Sequence, residues 1–453
     1  MKRVAISTLG CKVNTFESEL IMQRLCEHDY ERVAPNEAAD IYIINSCTVT
    51  AEADRQSRQL ARKLKRQNVD ATVIMTGCYA QNNAEMVAGI DEIDWVVGNA
   101  AKLDLPRLIL EYEHQHQHQQ DQSALVFKPE FDEMLAVPED LLSGFESQTR
   151  AFIQIQQGCD QACTFCIIHV ARGPSLSFPV QNVIAQYQKL LEQGYKEVVI
   201  CGVDLGSYGD DAGANSNLAG LLREMLALNL DCRIRISSID PYHLSDELID
   251  LIANSKQICP QIHLSMQSAN SLILKRMKRR ANRELIFERV ARLREKLPEL
   301  VLSADVLVGF PTESVEQFAE TLDAIERLQI AYPHVFPYSN REGTPAARIP
   351  SQLDATEKKR RARLVRELGQ AVWLRQAQQR IGLVTRGLIE SSGDDGSMIA
   401  RCDDYFPVKL QRSSVNAPKS LQKEQALQKG QWCDIQISGI EGQSLLGEIA
   451  RSA

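Results

Sequence analysis

The sequence predicts an α/β protein in three parts: a parallel α/β sheet domain, a partial (β/α)6 barrel and a small all-β barrel. Three observations predict this fold class. Short apolar runs alternate with helical segments in the first part, the same alternation restarts at Ala151, and short β-like runs among Gly, Ser and Asp fill the carboxy-terminal part. A length of 453 residues, 44% of them hydrophobic, suits about three globular domains.

The amino-terminal domain, expected over residues 1–112, alternates strand and helix. Its apolar runs predict parallel strands because each is separated from the next by a helix-length segment, as crossover connections require. The predicted strands are 4–9, 41–44, 71–76 and 95–98, and the predicted helices are 17–28 and 53–66.

Residues 113–148 are expected to form a linker, because the tract EHQHQHQQDQ at its start is low in complexity and has nothing to bury. His114, His116 and His118 in this tract could bind a metal ion. Alternate histidines among glutamines are more often a solvated spacer, and we interpret them so.

The barrel is expected over residues 149–379 and the all-β module over 380–453. The number of strand–helix repeats suits a partial barrel better than a closed eightfold one. The predicted barrel strands are 152–156, 197–201, 233–237, 261–266, 302–308 and 332–337. The predicted helices are 180–193, 218–228, 244–254, 281–297, 314–328 and a long one at 354–379. The module's predicted strands are 383–385, 387–389, 406–410, 432–437 and 445–449.

Composition excludes several function classes. No apolar run approaches the ~20 residues of a membrane span, and the first residues lack the apolar core of a secretion signal, so we expect a soluble, cytoplasmic protein. A net charge of −8 argues against nucleic-acid binding through the global field. The basic segments 55–66, 275–283 and 358–366 could contact phosphates, although any single charged run is more often a solvated helix face.

Cys159, Cys163 and Cys166 form the strongest motif, a CxxxCxxC loop directly after the first barrel strand. Cytosolic cysteines more often bind metals than form disulfides, and thiolates select zinc or iron–sulfur clusters. Three cysteines leave one iron of a four-iron cluster without a protein ligand, so that this iron could chelate a small molecule. The alternatives are a structural zinc ion with a distant fourth ligand, or three unrelated thiols.

Cys11, Cys47 and Cys78 are far apart in sequence, but each directly follows a predicted parallel strand. The carboxyl ends of such strands converge on one crevice, so these residues predict a second three-cysteine site. The alternative is that cysteine is simply a common buried residue. We interpret the remaining cysteines as packing residues; they are Cys26, Cys201, Cys232, Cys259, Cys402 and Cys433.

Motifs along nearly the whole chain resemble those of the radical S-adenosylmethionine methylthiotransferase family. In order they are TLGCKVNTFESE, NSCTVTAEADRQSRQ, GCYAQ, GCDQACTFCIIHVARG, GVDLGSYG, RISSIDP, LKRMKRR, DVLVGFPTES and HVFPYSNREGTPAARIP. GCKVN, GCYAQ and GVDLGSYG look most like the branch that acts on threonylcarbamoyladenosine in tRNA. The carboxy-terminal module resembles the TRAM domain, a small β-barrel that binds RNA.

The resemblance implies two 4Fe–4S clusters. Cys159, Cys163 and Cys166 would hold the first, which binds S-adenosylmethionine and cleaves it to a 5′-deoxyadenosyl radical. The second, an auxiliary cluster that carries the sulfur to be inserted, would be held by Cys11, Cys47 and Cys78. The net reaction would add a methylthio group to C2 of the modified adenosine beside the anticodon. It implies a tRNA substrate, together with an electron donor and a sulfur donor that the motifs do not specify.

Some positions depart from the family pattern and concern substrate handling. His169 replaces the usual proline, Pro174 and Leu176 stand where basic residues are expected, Met266-Gln267-Ser268-Ala269 replaces LQSG, and Thr312 replaces a glycine. The cluster ligands are untouched.

Further candidate contacts to S-adenosylmethionine or to the base follow from position near the carboxyl ends of strands. They are Asp204, Gln267 and Asp305.

Two alternatives to this function remain open on the sequence. The first changes the acceptor to isopentenyladenosine in tRNA or to a protein side chain. The second is an RNA-binding protein whose iron–sulfur clusters are structural or redox-sensing; it predicts fully ligated clusters, and the missing fourth cysteine at both sites is the feature against it.

Overall fold

A computed structural model confirms the fold class, with the three parts in the predicted order. The structure describes residues 1–115, 124–131, 137–146, 148–211, 216–392, 397–410 and 428–450. Among these residues, no helix combines the length and the apolar character needed to cross a bilayer.

The amino-terminal domain is a six-stranded, all-parallel sheet in the order β2-β1-β3-β4-β5-β6. Central strands β3 and β4 are almost entirely buried and apolar, as expected for a sheet covered by helices on both faces. The strands are β1 (Lys2–Thr8), β2 (Tyr30–Arg32), β3 (Ile41–Ser46), β4 (Thr72–Gly77), β5 (Trp95–Val97) and β6 (Leu125–Phe127). The helices are α1 (Lys12–Cys26), α2 (Ala51–Gln67), α3 (Cys78–Asn82), α4 (Ala84–Ala88) and α5 (Leu105–Gln115).

The two edge strands of this sheet were not expected from the sequence. β2 and β6 have three residues each, too few to show a hydrophobic period. β6 lies inside the segment interpreted as a linker and pairs with β5, Leu125 opposite Trp95. That segment therefore contributes to the sheet, whereas His116 and His118 lie outside the described residues.

The barrel strands occur at the predicted places, and their order follows the sequence. β7, β10 and β11 form one parallel sheet and β12 to β15 another, with β12 following β11 after Ser237. The strands are β7 (Ala151–Gln154), β8 (Gln156–Gln157), β9 (Leu176–Ser177), β10 (Glu197–Cys201), β11 (Arg233–Ile236), β12 (Ser238–Ile239), β13 (Gln261–Gln267), β14 (Val301–Val308) and β15 (Ile330–Pro337). The helices are α6 (Ile168–Arg172), α7 (Val180–Glu192), α8 (Leu218–Ala227), α9 (Asp246–Asn254), α10 (Ser271–Arg276), α11 (Arg283–Lys296), α12 (Val315–Arg327) and α13 (Ala355–Gln378).

The carboxy-terminal module is a closed barrel of five strands in the order β16-β17-β18-β20-β19. The runs 383–385 and 387–389 are one continuous strand, and β17 was not expected. The strands are β16 (Val384–Ser392), β17 (Met398–Cys402), β18 (Pro407–Leu410), β19 (Trp432–Glu441) and β20 (Ser444–Ile449).

The three parts share packing surfaces. Val13, Phe16 and Leu20 of α1 belong to the same apolar core as the barrel strands. Trp373 of α13 stacks on Phe406 of the carboxy-terminal barrel, with ring centroids 5.5 Å apart. Because α1 packs on the barrel, the edge of the amino-terminal sheet where α1 begins lies against the barrel mouth.

Candidate active site between two cysteine trios

Cys11, Cys47 and Cys78, the amino-terminal trio, lie together at the carboxyl edge of the sheet, as predicted. Cys11 is the N-cap of α1, Cys47 follows β3, and Cys78 begins α3. A β-carbon built on Gly10, where φ is 104°, would lie only 2.9 Å from the Cys47 β-carbon. A glycine before Cys11 therefore permits this close approach.

Polar side chains fix the loops that carry this trio. Asn14 donates hydrogen bonds to the carbonyl oxygens of Leu9 (2.7 Å) and Ser46 (3.1 Å). The Asn99 amide lies 3.5 Å from the sulfur of Cys78. Burial, and then the neighbouring Cys78, raise the pKa of the Cys47 thiol to about 12. A thiolate there requires a positive partner such as a metal ion.

Cys159, Cys163 and Cys166, the barrel trio, lie in the loop between β8 and α6. This loop folds back on the segment after α6, since the Cys159 amide donates to the Gly173 carbonyl (3.1 Å). At Gly158 the φ angle is 68°, and a β-carbon would lie 1.7 Å from the Pro174 carbonyl oxygen. No larger residue fits at that position without displacing the loop.

Charged groups surround the barrel trio. Arg279 donates to the sulfur of Cys163 (3.6 Å) and forms an ion pair with Asp240 (2.7 Å). Burial raises the pKa of Cys159 to about 12 and that of Cys166 to about 11. The guanidinium of Arg279 lowers the pKa of the Cys166 thiol and so partly offsets the effect of burial.

A buried ion-pair network connects the two trios. Arg172, at the end of α6, pairs with Glu17 of α1 (2.9 Å), and Lys102 pairs with the same carboxylate (2.6 Å). The amide of Asn99 that lies at Cys78 also donates to the Ala171 carbonyl (2.5 Å). The amino-terminal trio and the loop of the barrel trio are thus held on facing sides of one interface.

A cavity of about 210 Å³ lies at this interface. Val49 and Thr50, just after Cys47, line it from the amino-terminal domain, and Cys166, Gln267 and Asp305 line it from the barrel. Its volume and mixed polar and apolar lining suit part of a small molecule or a nucleobase.

The three further residues proposed from sequence position occupy two places. Gln267 and Asp305 line the cavity, whereas the Asp204 carboxylate lies 3.8 Å from the sulfur of Cys159. Burial raises the pKa of Asp204. Sequence reasoning missed the Glu17–Arg172 pair, because a buried charge between domains carries no local pattern.

Three of the departures from the family pattern lie in or next to the segments that flank the barrel trio. His169 is on α6, Pro174 contacts Gly158, and Leu176 begins β9, which pairs with β8.

The basic segments differ in how many charges are paired. In α2, Arg55 pairs with Glu52 and Lys65 with Asp94. Lys275, Lys278 and Arg280 instead line a second cavity, of about 630 Å³, beside the loop of the barrel trio. Phosphate contact is therefore better supported for the segment 275–283 than for 55–66.

The prediction that the other cysteines are packing residues is confirmed for all except one. Cys26 is exposed, because it falls on the solvent side of the last turn of α1, and the prediction is wrong there. The buried ones are Cys201, Cys232, Cys259, Cys402 and Cys433.

Two family models match this chain, one in each of the two domains that carry a cysteine trio. Residues 3–98 match the Uncharacterized protein family UPF0004, and residues 153–325 match the Radical SAM superfamily. Among solved structures, the radical S-adenosylmethionine methyltransferase TsrM from Kitasatospora setae is similar in fold. It has a TM-score of 0.55 at 15% identity and covers 77% of this chain and 75% of its own.

Curated relatives align over nearly the full length. The threonylcarbamoyladenosine tRNA methylthiotransferase MtaB of Rickettsia prowazekii (strain Madrid E) is 41% identical over 90% of this chain and 92% of its own. That of Bacillus subtilis (strain 168) is 38% identical over 90% of each. The tRNA-2-methylthio-N(6)-dimethylallyladenosine synthase of Fusobacterium nucleatum is 30% identical over 99% of this chain and 100% of its own. The chain belongs to the threonylcarbamoyladenosine tRNA methylthiotransferase family.

Proposed function

We propose that this protein adds a methylthio group to C2 of N6-threonylcarbamoyladenosine beside the anticodon of tRNA, by radical S-adenosylmethionine chemistry. The observation that carries the proposal is that the two three-cysteine sites meet at one interdomain interface, whose cavity is lined by Cys166 and by Val49 and Thr50, close after Cys47. Family membership supports the reaction class. The relatives that act on threonylcarbamoyladenosine are more similar than the dimethylallyladenosine synthase, which supports the acceptor.

We propose that each trio holds a 4Fe–4S cluster. A single ion needs its ligand atoms close together, and the described residues contain one group of such atoms within 4.8 Å of one another, which includes none of these six cysteines. Cysteine thiolates are the usual protein ligands of iron–sulfur clusters, and three of them leave one iron of a four-iron cluster open. When bound, the clusters supply the electron that cleaves S-adenosylmethionine and carry the sulfur that is inserted.

The chain's own residues bind, orient and exclude water. Arg279 orients the Cys163 sulfur by a hydrogen bond, and Asp204 beside Cys159 is the proposed contact to S-adenosylmethionine. Gln267 and Asp305 are the proposed contacts to the base in the cavity. A base beside the anticodon lies in a single-stranded loop, so its presentation costs little unstacking.

A tRNA digest tests the function. We expect tRNA from a strain that lacks this gene to contain threonylcarbamoyladenosine without the methylthio group, as measured by mass spectrometry. The wild-type gene restores the group, and so does Cys26→Ala, whose cysteine is exposed and outside both trios. Cys163→Ala does not. Full methylthiolation in the deletion strain contradicts the proposed substrate.

A second assay separates the enzyme from an RNA-binding protein with structural clusters. Anaerobic reduction of the reconstituted protein with S-adenosylmethionine should release 5′-deoxyadenosine. No 5′-deoxyadenosine from a fully loaded protein would support the structural role.

A further inference from the structure

Three polar side chains meet inside the barrel, on adjacent strands, outside both cysteine trios. His263 of β13 lies with its Nε2 atom 3.1 Å from Oδ1 of Asp305 on β14, and His334 of β15 has Nδ1 3.9 Å from the same oxygen. The two imidazole rings are 4.7 Å apart. We call His263, Asp305 and His334 the lumen trio.

A chain of hydrogen bonds behind the lumen trio orients it. The Gln261 amide donates to Ser303 Oγ (2.8 Å), which lies 2.9 Å from Nδ1 of His263. Ser303 accepts from Gln261 and can donate its own hydrogen to His263 Nδ1; in that tautomer the Nε2–H of His263 is directed at Asp305. Asp305 is thereby fixed as a hydrogen-bond acceptor that also lines the interdomain cavity.

His334 is the member of the lumen trio that is open to solvent, since its side chain is about half exposed, at 52%. Burial and the neighbouring His263 lower its pKa, whereas the carboxylate of Asp305 raises it. His334 is therefore accessible to a ligand and can donate to it through an imidazole N–H.

We propose that the lumen trio binds the threonylcarbamoyl side chain of the acceptor nucleoside and selects it against an isopentenyl group. This inference rests on the proposed function and deepens it. The threonylcarbamoyl group carries a carboxylate, to which His334 can donate a hydrogen bond, and a hydroxyl and ureido N–H groups, from which Asp305 can accept hydrogen bonds. An isopentenyl group has no polar atom. If it bound here, the side chains of the lumen trio would lose water without gaining a hydrogen-bond partner, which would weaken binding strongly.

Binding of three RNAs tests the inference without turnover. They are anticodon stem-loops identical except for threonylcarbamoyl, isopentenyl or no group on the adenosine, titrated against anaerobically reconstituted protein by fluorescence anisotropy. We expect wild type to bind the threonylcarbamoyl RNA at least about tenfold more tightly than the isopentenyl RNA, the effect of one or two unsatisfied polar contacts. Asp305→Asn and His334→Leu should each abolish this preference, so that the threonylcarbamoyl and isopentenyl RNAs bind with similar affinity.

His28→Ala is the matched control, because this exposed histidine lies beyond the opposite end of α1 from Cys11; the preference should persist in it. A preference that persists in both lumen-trio variants overturns the inference. Loss of the preference when wild type is treated with a chelator, at unchanged cluster content, overturns it in favour of a metal ion held by the trio. Wild type that methylthiolates only isopentenyl RNA overturns the proposed function itself.

Discussion

The absence of one side chain decides how closely Cys11 and Cys47 approach. Gly10 has a left-handed φ of 104°, and its missing β-carbon would fall 2.9 Å from the Cys47 β-carbon and 3.0 Å from its sulfur. Both the backbone conformation and the contact exclude a larger residue. The geometry of the amino-terminal trio therefore depends on this glycine as well as on the cysteines.

Gly10→Ala should remove the auxiliary cluster and spare the other one. The new methyl group displaces Cys47, so we expect reconstituted protein to hold about four irons instead of about eight. Gly194→Ala is the control, because Gly194 has a similar φ of 88° but no atom within 4 Å of its β-carbon position. An iron content in Gly10→Ala equal to that of wild type would contradict this prediction, because it would show that the amino-terminal trio still holds its cluster when Cys47 is displaced.

The sequence predicts the position of a functional side chain where a motif or the end of a predicted strand marks it. It predicts that the three cysteines of the amino-terminal trio lie together, and it places Asp305 near the carboxyl end of a strand, where it lines the cavity. His263 and His334 were not singled out, because their meeting depends on the register of β13, β14 and β15, and each of the two strand pairings contains an irregularity. Sequence alone does not predict such shifts.

Helices α1 and α6 connect the two cysteine sites through a buried charge network. The side chains of Glu17, Arg172 and Lys102 are each at most 5% exposed. Burial raises the pKa of Glu17, but Arg172 and Lys102 outweigh it and hold that pKa at about 2. Removing one partner leaves the others charged and desolvated.

Arg172→Met should destabilise the folded protein by about 3–5 kcal/mol, because it leaves Glu17 buried opposite Lys102 alone. Urea unfolding measures this loss. Arg107→Met removes an exposed arginine that pairs with Asp104 and Glu111 and should cost less than about 1 kcal/mol. Equal effects of the two substitutions would contradict the role of the network.

Acid should weaken the protein through Glu17 and Glu197, whose pKa values are both held at about 2 against an ordinary 4.5. A carboxyl whose pKa is lower in the folded state than in the unfolded state stabilises the folded protein. This contribution is complete at a pH above the unfolded-state pKa and is lost as the pH falls towards the folded-state pKa. We expect the free energy of unfolding to fall by a few kcal/mol between about pH 5 and pH 2. Glu17→Gln should show a smaller fall than wild type; an identical pH dependence would contradict the assignment.

Helices and strands were predicted correctly where their hydrophobic pattern extends over enough residues to show a period. The strand at Glu197–Cys201 was predicted to the residue, because continuous apolar runs and helix-length spacers mark a barrel clearly. The edge strands Tyr30–Arg32 and Leu125–Phe127 were missed because three residues carry no period. Met398–Cys402 was missed because it includes the charged Arg401 and follows a glycine- and aspartate-rich stretch of sequence.

In the whole molecule, one cavity lies between the two domains that carry the cysteine trios, and the carboxy-terminal β-barrel packs at the other end of the barrel strands. Thr48, next to Cys47, receives a hydrogen bond from Arg341 (2.6 Å), and Arg341 also pairs with Asp54 (2.7 Å). This second buried contact between domains lies on the β15 side of the cavity. At the opposite end of the barrel strands, Arg233 joins Glu197 to Asp403 of the carboxy-terminal barrel.

We expect each trio to hold one four-iron cluster independently of the other. Iron and acid-labile sulfide can be counted after anaerobic reconstitution of wild type and of two triple variants. We expect about eight of each per wild-type chain, and about four when the three cysteines of either trio are replaced by alanine. About four irons in wild type, or loss of all iron on replacing a single trio, would contradict two independent cluster sites.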